Sequence, residues 1–152
     1  MINDYQDELT YTAGPPATSK QTVVGNFGTA IIGGKVKDGG ANGDFGAGET
    51  IAVRLRTVTA LLGATGGLQC DLVTADNAGL TTNPVVLATK TLTLAQMVIN
   101  SVFQLFLIPP GTRKRYLGIK LTPLTANSTA GEVIVWLANA EDSSPQNRVN
   151  NI

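Results

Sequence analysis

Apolar and polar residues alternate with period two in Ile51-Ala52-Val53-Arg54-Leu55-Arg56. That pattern predicts a strand with Ile51, Val53 and Leu55 on a buried face and both arginines in solvent. Thr57-Val58 breaks the phase as a bulge does. Leu68-Gln69-Cys70-Asp71-Leu72-Val73-Thr74 alternates again and turns Cys70 inward, as a small buried hydrophobe rather than a nucleophile. Pro84-Val85-Val86-Leu87-Ala88 reads as a short β-branched strand, residues 22–24 as an early one, and residues 93–98 as a single helical turn capped by Thr93. Further strands are expected at Val102–Ile108, 116–122 and 132–138. Pro109-Pro110-Gly111 stops the first of these, and Gly131 opens the last after the turn Ala126-Asn127-Ser128-Thr129. Roughly seven or eight strands punctuated by Gly, Pro and Asn turns predict an all-β fold, an antiparallel β-sandwich.

Two of these strands depart from the half-buried pattern. Val102-Phe103-Gln104-Leu105-Phe106-Leu107-Ile108 and Val133-Ile134-Val135-Trp136-Leu137 are apolar on both faces, whereas a sheet with one wet face alternates. Their outer faces therefore need a cover, either a crossing arm of the same chain or a second subunit. Phe103 and Trp136 become candidate interface residues on that ground.

The flanks read differently. Residues 1–20 carry the turn former Gly14-Pro15-Pro16 and no sustained periodicity, which predicts an extended N-terminal arm. Residues 25–48 hold nine glycines and predict a long loop interrupted only by Ala30-Ile31-Ile32. Residues 141–152 are polar and Asn-rich, a C-terminal tail. A single domain over residues 21–140 is left between the arms, which suits a chain of 152 residues.

Composition narrows the chemistry. The chain has no His and one Cys, so His-based acid–base catalysis, Ser-His-Asp triads, Cys-His nucleophiles and His/Cys zinc sites have no residues to work with. Eleven basic and eleven acidic residues balance, which argues against a nucleic-acid partner. No apolar run reaches the roughly 18 residues of a membrane span, and the acidic start is unlike a signal peptide. Charged residues make up only 14% of the chain, so hydroxyls, amides and backbone must supply much of the polar surface.

The remaining motifs are weak. Residues 28–36 have the glycines and lysine of a phosphate loop, but Val36 stands where a magnesium-binding hydroxyl belongs. Asp38, Asn42 and Asp44 offer oxygens without the spacing of a calcium loop. Asp71 and Asp76 flank a turn with nothing to set a catalytic separation, and Asn127-Ser128-Thr129 is best read as a turn. Neither cofactor nor metal is expected. Arg113-Lys114-Arg115 is the densest charge cluster, either solvated or an electrostatic foot for an acidic partner. Tyr5 and Tyr11 on the polar arm have the character of anchors for a neighbour's groove.

Several segments together resemble the capsid cement, or decoration, proteins of tailed bacteriophages, of the Bordetella-phage type. They are Gly46-Ala47-Gly48-Glu49-Thr50-Ile51-Ala52-Val53, the strand from Leu68 to Thr74 with Ala75-Asp76-Asn77, and Leu92-Thr93-Leu94-Ala95. Phe103 through Pro109-Pro110-Gly111, Arg115-Tyr116-Leu117 and Thr129-Ala130-Gly131-Glu132-Val133 continue the likeness, which covers residues 19–142. The chain departs from the family at Asn100-Ser101, where a Gly is common, and in a tail, residues 146–152, that runs past the usual end. The resemblance implies a jelly-roll β-sandwich without catalytic activity. It further implies a small homo-oligomer, made in the host cytoplasm and bound to the major capsid protein on the outer surface of the virion; for the contact through the two-sided apolar strands a dimer is preferred to a trimer. The competing reading is a carbohydrate- or receptor-binding jelly roll of a phage or cell surface.

Overall fold

The alternating segments become strands because each has one apolar row to bury. The computed structural model describes residues 8–11, 20–39, 51–108 and 114–139. Their strands are β1 (Gln21–Thr22), β2 (Ile31–Ile32), β3 (Lys37–Asp38), β4 (Ile51–Leu62), β5 (Leu68–Ala75), β6 (Val85–Leu92), β7 (Val102–Ile108), β8 (Tyr116–Pro123) and β9 (Ala130–Asn139). One sheet has the order β1-β9-β4-β7, and the other the order β2-β8-β5-β6 with β3 also on β8. All pairings are antiparallel, and the two sheets face each other as a β-sandwich. No helix occurs among the described residues.

The inner rows make one core. Val53 and Leu55 of β4, Leu68, Cys70 and Leu72 of β5, Leu117, Ile119 and Leu121 of β8, and Val133 and Val135 of β9 are fully buried. Each such side chain contributes about 1.5–3 kcal/mol of transfer free energy. The bulge expected at Thr57-Val58 is present as a register shift between Thr57 and Thr59, and a second shift at Val53/Arg54 leaves Leu105 of β7 without its own partner. The single turn expected at residues 93–98 also forms, closed by a capping box. Thr93 Oγ1 accepts from the Gln96 amide at 3.3 Å, and Gln96 Oε1 accepts from the Thr93 amide at 2.9 Å.

Three expectations need correction. Arg56 is exposed, but Arg54 is only partly so and its Nε is buried. The Gly-rich loop is interrupted at Ile31–Ile32 as expected, by β2, but also at Lys37–Asp38 by β3, and both pair with β8. Most consequential is the arm, whose residues 8–11 belong to the sandwich. Glu8 bridges Trp136, the Leu9 amide donates to the Val135 carbonyl at 2.7 Å, and the Val135 amide donates to Thr10 Oγ1 at 2.9 Å. Leu9 is fully buried in the main core. Its carbonyl accepts from the Lys35 amide at 3.3 Å, so this segment links the edges of both sheets.

Gly33 and Gly34 allow that approach. A Cβ at Gly33 would strike the Leu9 carbonyl oxygen, and one at Gly34 the Tyr11 carbonyl oxygen. Close backbone approach therefore accounts for these two glycines, with no phosphate needed.

Candidate functional site

The candidate residues are scattered. Lys114 Nζ lies 3.6 Å from Asp76 Oδ2 and donates to the Asn83 carbonyl at 2.6 Å. Arg115 makes a two-pronged pair with Asp38, Nε to Oδ1 and Nη2 to Oδ2, both 2.9 Å, and stands 5.1 Å from the Tyr116 ring centre. Hydrogen bonding to Asp38 holds the Arg115 guanidinium above its ordinary pKa. Both cations thus have partners within the chain while remaining at the surface. Arg113 and Tyr5 lie outside the described residues.

Phe103 is partly buried and packs against the main core. Trp136 does stand on the outer face of β9, opposite Arg54, but is only 3% exposed. Tyr11 is half-buried at the Gly34 crossing rather than projecting from a free arm. Intrachain cover by residues 8–11 is present at the β9 edge, whereas Val102 and Leu107 of β7 are about half exposed.

The antiparallel registers gather the turns into two groups. Residues 23–30, 63–67, 93–101 and 124–129 all lie at one end of the sandwich. They contain no Asp, Glu, Lys or Arg. The opposite end carries Asp38, Asp76, Lys114 and Arg115, and there Gly39, Ile51, Ile108, Lys114 and Asn139 border the residues not described. The four turns themselves carry no charge, with Arg56 donating to Asn100 Oδ1 at 3.2 Å and the Lys20–Glu132 pair lying next to them at β9. At the end with chargeless turns Val24, Phe27, Leu62, Val98 and Ile99 are exposed, Phe27 by 57% and Ile99 by 63%. Interface centres are depleted of charge in this way. The signal was present in the chain as four turn segments without a charge, but only the register shows that they meet.

These turns are tied together. Ser128 Oγ donates to the Val23 carbonyl and accepts from the Gly25 amide at 2.9 Å, while the Phe27 amide donates to Asn127 Oδ1 at 2.8 Å. The Gly66 amide donates to the Leu124 carbonyl, and the Leu61 amide to the Met97 carbonyl, both at 3.1 Å. Thr125, at φ +69°, keeps a conformation that a β-branched residue rarely adopts. Between the end of β4 and the 93–98 turn runs an open groove of about 580 Å³, walled by Leu61, Leu62, Leu94, Met97 and Val98. It has no titratable side chain and can bind apolar surface, not move protons.

Elsewhere, Cys70 is enclosed by the core and its thiol is pushed up to about 12 by burial, which leaves it unreactive. Asp71 accepts from Thr89 Oγ1 at 2.7 Å and from Gln69 Nε2, a surface network with no second carboxylate in it. Asp38 is occupied by Arg115, while Asn42 and Asp44 lie outside the described residues. No group of three metal-ligating side chains occurs among the described residues. No protein-family model matches the chain, and no curated protein matches it in sequence.

Proposed function

We propose that this chain is a non-enzymatic structural protein of a virion, bound to the outside of an icosahedral phage capsid, where it cements neighbouring major capsid proteins. The observation that carries the reading is the end with chargeless turns, where Val24, Phe27, Val98 and Ile99 of the turns and Leu62 at the end of β4 are exposed. Exposed apolar side chains gathered at one end suit a contact with another protein. Rigid turns lower the ordering cost of making the contact. The strand order favours the finer fold reading as well. Counting β2 and β3 as one interrupted strand gives eight strands, and their order, β1-β9-β4-β7 against β2/β3-β8-β5-β6, supports the jelly-roll reading.

A ligand that binds the assembled lattice better than free subunits stabilises the lattice by linkage, about 2.7 kcal/mol per site at 100 times Kd. Many modest sites then reinforce a shell. The exposed Val85 and Val86 of edge strand β6 and Val102 and Leu107 of edge strand β7 suit a homodimer formed side by side. The carbohydrate reading gains nothing from the groove, whose walls hold no aromatic ring and no carboxylate.

The test is cosedimentation with expanded capsids from which the protein is absent. Saturable binding that is lost in the Leu62→Glu and Ile99→Glu variants supports the reading. Failure of the natural chain to cosediment refutes it.

A further inference from the structure

We propose that residues 8–11 form an exchangeable edge strand, and that a second copy of this chain can supply the same segment to β9. The ladder itself shows a surplus. From Trp136 to Val133 β9 advances three residues, whereas its edge partner advances thirteen, from Glu8 to Gln21. Ten residues, 11–20, are therefore not needed to continue the edge strand. Without them Thr10 would run directly into Gln21, in register.

Such an excursion changes what the segment can reach. Tyr11 lies against Gly34 and Lys20 pairs with Glu132 of β9, and the nine peptide steps between them extend to about 30 Å when stretched. Gly14-Pro15-Pro16 lies within this span. The slot is made by two separate elements, the β9 edge and residues 33–35, and is read mainly through backbone and one apolar anchor. The Leu9 amide and carbonyl bind Val135 and Lys35, and the Leu9 side chain fills the core. An identical segment from another copy would make identical contacts, so exchange costs little beyond association. The docked segment is also imperfectly matched. Glu8 Oε2 and Trp136 Nε1 are buried at the junction without a hydrogen-bond partner among the described residues, which favours release by local opening.

The inference stands apart from the capsid reading, since it concerns only copies of this chain, and its test needs no capsid. A full-length light-isotope chain carrying a diazirine analogue of leucine at position 9, nearly isosteric with the natural residue, is mixed with the unsubstituted heavy-isotope chain and irradiated. The expected result is light–heavy cross-links from residue 9 to residues 33–36 or 132–138, growing with concentration and time. Cross-links confined to single chains at every concentration would overturn the proposal. A second variant removes residues 11–20 from the same probe chain, making the edge strand continuous. It should stay folded while light–heavy cross-links fall at least tenfold, and their persistence at full yield would also overturn the proposal.

Discussion

Leu80 rests on Gly118: a Cβ at position 118 would lie 2.7 Å from Leu80 Cδ1. Leu80 is fully buried with Val73 and Ala75 in a small second core, yet its backbone has φ +56°. A leucine in that region is strained by about 1–3 kcal/mol, and burial of its side chain against glycine offsets the cost. The turn between β5 and β6 is thereby locked, with Asn77 Oδ1 accepting from the Thr81 and Thr82 amides at 2.9 and 2.8 Å. Leu80→Ala should destabilise the fold by about 2–5 kcal/mol, and Gly118→Ala by about 1–3 kcal/mol through overpacking. In denaturant unfolding the double variant should lose less than the sum of the two, because each relieves the space the other disturbs.

Removal of residues 2–11 should lower the melting temperature clearly, contrary to what a free arm predicts. The segment supplies Leu9 to the main core and backbone hydrogen bonds to β9. Leu9→Ala alone should cost about 2–5 kcal/mol in chemical denaturation. An unchanged transition would mean that the arm is a passenger.

Ser128→Ala should loosen the end with chargeless turns. It removes the acceptor of the Gly25 amide and the donor to the Val23 carbonyl at a buried position. A loss of about 1–3 kcal/mol is expected. Amide hydrogen exchange should accelerate first in residues 23–26, with the strands of the other sheet unaffected.

Charge placed at the end with chargeless turns should separate docking from stability. Leu62→Glu and Ile99→Glu alter exposed side chains, so unfolding free energies should move by less than about 0.5 kcal/mol. Capsid binding should weaken by at least about tenfold, or about 1.4 kcal/mol. Lys114→Ala should leave binding nearly intact, since that cation is paired within the chain. The reverse order of effects would move the docking surface to the opposite end.

Glu132 gives the fold an acid-sensitive contribution. Thr59 Oγ1 donates to its carboxylate at 2.8 Å and Lys20 Nζ lies 3.3 Å away, and the carboxyl is held below the usual range, mainly by the Thr59 hydrogen bond. A folded-state pKa below the unfolded one means that the stabilisation is full above the ordinary glutamate range. It is lost as pH falls through the lowered folded value. Thr59→Val should therefore reduce stability at neutral pH and flatten the acid limb of a melting-temperature profile.

The sequence by itself determined the strands, because alternation leaves one apolar row that water will not tolerate. The strands at 51–56, with the bulge after them, at 68–74 and at Val102–Ile108, and the capped turn at Thr93, were legible from spacing and local hydrogen-bonding capacity, though β4 runs on to Leu62. The inward place of Cys70 was legible for the same reason. Long-range pairing was not. Nothing near Leu9 signals that its core lies beside Val135, and nothing near Gly33-Gly34 signals a crossing chain rather than a ligand loop. The pairing of Arg115 with Asp38 joins residues far apart in the chain, so a run of three cations looked free when two are engaged. Tertiary structure alone decided which turns share an end. Antiparallel register brought four chargeless turns together and placed Asp38, Asp76, Lys114 and Arg115 at the other end, a contrast visible only once the strands are aligned.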